Sequence, residues 1–329
     1  MSLEIIRNDI TKVSADAIVN TANPEVAVGY GVDSAIYDAA GKDRLLAERE
    51  KIGPMRPGDA AYTPAFDLDA KYIIHTVGPV WQGGDAGEKE ILATCYRKAL
   101  GIAGDLGCES VAFPLMSAGT YGFPKDAALK IAISEISDFL FNNEMEVFLV
   151  VYDKESFEVS GKAFNDIRSF IEEEDIREKQ RLEKLHMRRE MALEQAPKMF
   201  CSEVVLNAGI DEMIDHKDQT FQEYLFRIID KKGLDDKEVY KKANIDRKHF
   251  SKIKSNVDYN PTKKTAVAFA IALGLNLDET KDLLLKAGIA LTRSNIFDII
   301  IEYCITHNIR DIYEINCILF DYDQPTLGL

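Results

Sequence analysis

The sequence predicts an α/β unit followed by an all-α unit, and three observations carry that reading. Up to Ile171, short apolar runs alternate with amphipathic stretches. From Gln219 onward only helical periodicity is found, and a run of mixed charge lies between the two. With 329 residues, 46% of them hydrophobic, the chain is long enough for two cores. The expected organisation is residues 1–171, a connector over 172–218, and a helical unit over 219–329.

In the first unit Leu3–Ile6 and Ala17–Val19 read as short strands. Lys71–Thr76, Ser110–Phe113 and Val147–Tyr152 read as buried strands rich in Val, Ile and Phe. Helical patterns occupy Val32–Ala40, Lys89–Leu106 and Lys125–Asn142. Alternation of this kind predicts three layers, with a mixed, mostly parallel sheet between helices and ligands at the carboxyl ends of the strands. Glu172–Glu190 is almost wholly charged with mixed signs and reads as an exposed connecting helix that Pro197 ends. This connector is expected to isolate the two units.

In the last unit helices are expected at Phe221–Lys231, Lys237–Ala243, Arg247–Lys254, Lys263–Leu273, Leu277–Ala287, Ile296–His307 and Ile312–Leu319. Gly233, Gly274 and Gly288 mark helix ends, and Asn276 and Asp246 read as N-caps.

Composition excludes several classes. The longest apolar stretches, such as Ile296–Ile301 and Val147–Val151, fall far short of the ~20 residues that span a bilayer, so no membrane partner is expected. Met1–Ile10 has neither the basic nor the apolar region of a signal peptide. Five cysteines without a C-x-x-C pair argue against structural zinc and a disulfide framework, and fit a cytoplasmic location. No metal site and no cofactor are expected. The net charge of -15 means that any contact with nucleic acid must come from a local patch.

Two loops carry the chemistry. Val19-Asn20-Thr21-Ala22-Asn23 is followed by Gly29-Tyr30-Gly31-Val32-Asp33. Gly29 and Gly31 let main-chain amides approach an anion, and the helix starting near Val32 adds its N-terminus. An Asp and an Asn beside such a cradle suit ribose hydroxyls and a positioned water. The second loop, Phe113–Pro124, offers a small-residue nest in Ser117, Gly119 and Gly122, with Tyr121 as an aromatic face. Neither loop has the Gly-Lys-Ser/Thr signature of a nucleoside triphosphatase.

Five ordered motifs then point to a known family. They are Asn8-Asp9-Ile10-Thr11, Ala17–Asn23, Gly31–Ile36 with Ala39-Ala40-Gly41, Tyr72–Pro79, and Phe113–Pro124. Residues Leu3 to Ile171 resemble the macro domain, the ADP-ribose-binding fold. The resemblance implies that Asp9 accepts from the adenine amine beside the Ile10 amide, and that Asn23 contacts the distal ribose. It implies that Gly29, Tyr30, Gly31 and Val32, with Ser117, Ala118, Gly119, Thr120, Tyr121 and Gly122, hold the diphosphate. In the same way Tyr121 faces the distal ribose and Tyr152 borders the adenine. Asp33 stands where the hydrolytic branch has its catalytic aspartate, with Asn23 as its companion. Two departures bear on hydrolysis: Tyr30 splits the glycine run, and Tyr37 stands where that branch tends to have a histidine. His75 reads as a satisfied core group rather than a catalyst.

Residues Thr220–Leu291 resemble the lambda-repressor/Cro class of helix-turn-helix domains, through Ala243, Asn244-Ile245-Asp246, Phe250, Ile253, Asn260-Pro261-Thr262 and Ala268–Leu277. The resemblance implies a recognition helix that presents Arg247, Lys248, Ser251 and Lys252 to bases, with Lys254, Lys263 and Lys264 on phosphates. A solvated face on a protein-binding adaptor is the competing reading. The apolar faces of the last two helices (Ile300, Tyr303, Ile315, Ile318, Leu319) are expected either to pack on this unit or to form a homodimer.

Three functions stay open at this point. One is hydrolysis of ADP-ribose derivatives, either O-acetyl-ADP-ribose or mono-ADP-ribose on a macromolecule. Another is non-catalytic reading of ADP-ribose. The third is a regulatory module that couples ADP-ribose to DNA.

Overall fold

The computed structural model describes residues 2–152, 170 and 219–328. The charged connector and Pro197 lie outside the described residues. Six strands form one sheet in the order β1-β6-β5-β2-β4-β3. They are β1 (Leu3–Arg7), β2 (Ala17–Thr21), β3 (Ala60–Pro64), β4 (Tyr72–Thr76), β5 (Ser110–Pro114) and β6 (Glu146–Val151). All neighbouring pairs are parallel except β3 with β4. The mixed, mostly parallel sheet expected from the sequence is therefore present.

Helices cover both faces, as parallel strands require. Helices α1 (Val32–Ala40) and α2 (Lys42–Ile52) bury Ile36, Tyr37 and Leu45 against Ile18, Ile73, Ala112 and Val150. Helices α3 (Glu88–Asp105) and α4 (Lys125–Asn142) bury Leu92, Tyr96, Ala132 and Ile136 against Leu3, Val19, Ile74, Phe113 and Val147. Alternate residues of the central strands thus face opposite layers. This is why those strands read as continuous apolar runs.

Two elements escaped the sequence reading. Strand β3 is an edge strand that reads AAYTP, and only Thr63 in it is buried. Helix α2 reads KDRLLAEREKI and buries only Leu45 and Arg49.

The second unit is all helical: α5 (Phe221–Lys232), α6 (Asp236–Lys242), α7 (Arg247–Ser255), α8 (Lys263–Ala272), α9 (Leu277–Lys286), α10 (Ile296–Thr306) and α11 (Ile312–Asp321). Its ends follow the expected chemistry. Asp246 accepts from the His249 amide, and Asn276 and Glu279 form a reciprocal capping box. Gly233 ends α5 in the left-handed conformation at φ 63°.

Of the two outcomes expected for the last two helices, packing on their own unit is the one found. Ile300, Tyr303, Ile315, Ile318 and Leu319 are all buried in its core, so those faces are not open for a homodimer. The expected isolation of the two units is corrected, since the helical unit docks directly on β1. Asn244, in the α6–α7 turn, accepts from Leu3 N–H and donates to Leu3 C=O, both at 3.0 Å. Lys241 donates to the C=O groups of Leu140 and Asn143, which satisfies the free carbonyl end of α4. Cys317 and Phe320 of α11 join the α3–α4 core, while Arg7 pairs with Asp323 at 2.9 Å and lies over the Phe320 ring.

Candidate functional site

The carboxyl ends of β1, β2, β5 and β6 open into one cavity of about 790 Å³. At the β1 end it is lined by Asn8, Asp9 and Ile10, and at the β2 end by Thr21 and Asn23. The Gly29–Asp33 segment forms one wall and Pro114–Tyr121 the other, with Val150–Tyr152 closing the end beside β1. Of the residues marked in the sequence, Asp9, Ile10, Asn23, Gly29, Tyr30, Gly31, Val32, Asp33, Ser117, Ala118, Gly119, Thr120, Tyr121 and Tyr152 all meet on this lining. Gly122 does not line it. At φ +66° its amide donates to Gly119 C=O, so it shapes the turn from behind.

Each wall is fixed locally. Asp9 caps a 3-10 turn (Ile10–Lys12) by accepting from the amide and hydroxyl of Thr11, and that hydroxyl is the main reason its carboxyl sits below the usual Asp value. Gly31 caps α1 at φ 65°, ψ -124°, a conformation open to glycine alone. The helix N-terminus therefore opens on the cavity. In the second wall Ser117 is held at φ 61°, and its buried hydroxyl has no hydrogen-bond partner. A Cβ on Gly78 would fall 2.2 Å from that hydroxyl oxygen, so glycine at 78 makes room for it. Strain and an unpaired polar group on one loop are the pattern of a ligand-binding segment. Tyr30 and Tyr152 stand at the mouth, 85% and 74% exposed.

Asp33 is only 1% exposed. Its carboxylate accepts from the Asn20 side chain at 2.6 Å and from the Gly29 amide. The Gly29 amide, expected on the diphosphate, is thus already engaged by Asp33. Burial raises the Asp33 pKa, and the Asn20 and Gly29 hydrogen bonds and the Arg49 charge oppose the rise. Asn23 spends its side-chain oxygen on the Glu25 amide, which leaves its NH₂ as the group to offer a ligand. Tyr37 is 1% exposed, and burial pushes its hydroxyl up to about 12, so it stays neutral in the core. His75 is fully buried between Asn20 and Thr63, with its pKa pushed down to about 3 by burial.

Two residues of this floor were missed in the sequence. Asn20 follows the apolar Ala17–Val19 within β2, and that polar interruption was its signal. Arg49 is 1% exposed and donates to the C=O groups of Gly53 and Asn23. It lies in the charged stretch Lys42–Ile52, which gives no apolar signal in the sequence.

On the helical unit, Arg247, Lys248, Ser251, Lys252 and Lys254 are exposed on α7, while Phe250 and Ile253 turn into the core. Two of the cations expected on phosphates are engaged within the chain. Lys263 pairs with buried Asp298 at 2.8 Å, and Lys254 pairs with Asp236.

Comparison with known proteins places the first unit. The Macro domain family model matches residues 19–132. A macro domain-containing protein of Methanosarcina mazei is 48% identical over 167 residues, which cover 50% of this chain and 89% of that protein. A protein of Cronobacter turicensis named O-acetyl-ADP-ribose deacetylase is 45% identical over 160 residues, 47% of this chain and 91% of that protein. A solved Oceanobacillus iheyensis macrodomain with ADP is 35% identical and covers 48% of this chain and 86% of its own, with a TM-score of 0.46. The chain spans 89% and 91% of the M. mazei and C. turicensis relatives, and through its N-terminal half it belongs to the macro domain family.

Proposed function

We propose that the chain binds ADP-ribose in the cleft and hydrolyses ADP-ribose derivatives, with O-acetyl-ADP-ribose or mono-ADP-ribose on a macromolecule as substrate. The observation that carries this reading is the buried Asp33 carboxylate on the lining of a cavity whose walls are a helix N-terminus and a strained small-residue loop. A volume of about 790 Å³ suits a dinucleotide-sized ligand. The name of the C. turicensis relative supports ester cleavage.

In this reading the amides around Gly31 and Ser117–Thr120 take the diphosphate, Asp9 takes the adenine amine, and the Asn23 NH₂ fixes the distal ribose. Ionised Asp33 draws a proton from a water as the water oxygen bonds to the acetyl carbon. The bond from that carbon to the ribose oxygen then breaks, and the proton on Asp33 passes to the leaving oxygen. Acetic acid, which ionises to acetate by releasing a proton to solvent, and ADP-ribose result. Neutral Tyr37 takes no part in proton transfer.

Calorimetry with ADP-ribose and turnover of O-acetyl-ADP-ribose test the reading. Gly119 lines the cavity, and a Cβ there would meet nothing within 4 Å, so Gly119→Glu leaves the fold intact and puts an anion in the nest. Unchanged ADP-ribose affinity in that variant would misplace the site. Asp33→Ala should lower turnover by roughly two to four orders of magnitude, with less effect on binding. Binding without any turnover would make the chain a reader.

A second reading concerns the helical unit. The exposed face of α7, with Arg247, Lys248, Ser251 and Lys252 opposite buried Phe250 and Ile253, supports a nucleic-acid-binding surface. Duplex DNA binding should then appear at low salt, fall steeply as salt rises and vanish on charge reversal at Lys248 and Lys252. Absence of binding at every salt concentration favours a protein-binding adaptor.

A further inference from the structure

Beneath Asp33 runs a chain of buried polar groups that no contact with a ligand requires. Asn20 does not line the cavity and is fully buried. Its NH₂ meets two acceptors, Asp33 Oδ1 at 2.6 Å and His75 Nδ1 at 3.2 Å. His75 Nε2 in turn lies 2.9 Å from Thr63 Oγ1 on β3. Asn20 Oδ1 has no partner at all. Turning the amide over would not relieve that oxygen, because it would then face the Asp33 carboxylate at 2.6 Å. The unpaired oxygen is what it takes to present both amide hydrogens to acceptors. This arrangement demands a neutral His75 with its proton on Nε2, donated to Thr63.

We propose that Asn20 and His75 are positioning residues for Asp33: the Nε2–H tautomer of His75 orients the Asn20 amide, and that amide aims the Asp33 carboxylate and keeps it ionised. Its catalytic use rests on the hydrolytic reading above, but its geometry does not. The groups facing Asp33 are Asn20 and neutral His75 from below, Arg49 from α2, Gly29 N–H, Tyr37 on its own helix and Tyr121 from the loop after β5. Tyr37 and Tyr121 have pKa values raised by burial and add no charge at neutral pH. Against desolvation, then, the carboxylate has Asn20, Gly29 and the Arg49 charge. Removing Asn20 removes the first of these.

The test uses the full chain with Asn20→Ala, His75→Leu and His75→Asn, in which the Asn side-chain oxygen can stand in for Nδ1. The Asp33 carboxyl is titrated by carbon-13 NMR, and turnover of O-acetyl-ADP-ribose is followed against pH. Asn20→Ala should raise the Asp33 titration by about one pH unit. The acid limb of kcat should move with it, so that turnover below the limb falls about tenfold while KM holds. His75→Leu should do the same without touching Asp33, and His75→Asn should return both readouts toward wild type. A titration unmoved in both Asn20→Ala and His75→Leu overturns the proposal. So does a loss of kcat that is equal at every pH, the mark of a merely structural role. If His75→Leu fails to fold, Asn20→Ala and His75→Asn decide. A wild-type chain without turnover removes the hydrolytic reading alone, because the NMR titration still judges the positioning of Asp33.

Discussion

Asn244→Ala should uncouple the two halves of the chain. Asn244 is 2% exposed and bridges both main-chain groups of Leu3, itself 2% exposed. Truncation leaves a buried N–H and a buried C=O on β1 without partners, at roughly 1–3 kcal/mol each. Asn244 also sits at φ 52°, where alanine pays roughly 1 kcal/mol more than asparagine. The expected loss is therefore about 3–7 kcal/mol, a large share of the stability of an ordinary domain. Asn244→Gly isolates the hydrogen bonds, since glycine accepts the same φ. Two probes follow the halves in urea: fluorescence of Trp81, the single tryptophan, and helical circular dichroism, to which the α5–α11 unit contributes heavily. In the wild type the two transitions should coincide, and in Asn244→Ala the helical signal should go first. Coincident transitions with an unchanged midpoint in the variant would refute the docking argument.

Other outcomes follow from single sites. His75 is held neutral in the fold at a pKa of about 3 against 6.5 when unfolded, so below pH 6.5 the unfolded chain takes up a proton that the folded chain refuses. Stability should therefore fall as pH drops from 6.5 toward 3, by up to about 1.4 kcal/mol per pH unit, and urea midpoints for His75→Asn should show a shallower slope. Gly31→Ala places a side chain at φ 65°, ψ -124°; a loss of roughly 1–3 kcal/mol should accompany weakened ADP-ribose binding, seen by melting and calorimetry.

The sequence showed most clearly what each element does alone. Buried strands declared themselves because both their faces are covered, so Val147–Val151 is apolar throughout. Helix ends declared themselves because capping is local, as at Asp246 and Asn276. The cleft was legible because its glycines and small residues are dictated by backbone shape at Gly31 and Ser117. What stayed hidden depends on partners far away in the chain. Strand β3 earns its place only by pairing with β4, and Ala60–Pro64 has no apolar run to show for it. Arg49 is buried only because the Asn23 and Gly53 carbonyls and the Asp33 charge are there to meet it. Tyr37 was marked only as standing where the hydrolytic branch tends to have a histidine, and its helix turns it into the sheet. Asn244 read as a residue of a DNA-binding turn, and nothing within its own neighbourhood announced that Leu3 would be its partner.

The docking and the cleft share two elements, and this has a measurable consequence. Strand β1 meets Asn244 at Leu3 and Asp323 at Arg7, and the next residues, Asn8 and Asp9, line the cavity. Helix α4 follows the Ser117–Pro124 loop and ends where Lys241 satisfies its carbonyls. If the halves unfold as one unit, a ligand bound in the cleft stabilises helices that it never touches. At a hundredfold excess over Kd the gain is about 2.7 kcal/mol. ADP-ribose should therefore shift the Trp81 and circular-dichroism transitions of the wild type together. In Asn244→Ala it should shift only the Trp81 transition, because the helical unit then unfolds without regard to the cleft. A ligand shift confined to Trp81 in the wild type would show that the bridge at Leu3 is too weak to make the two halves one cooperative body.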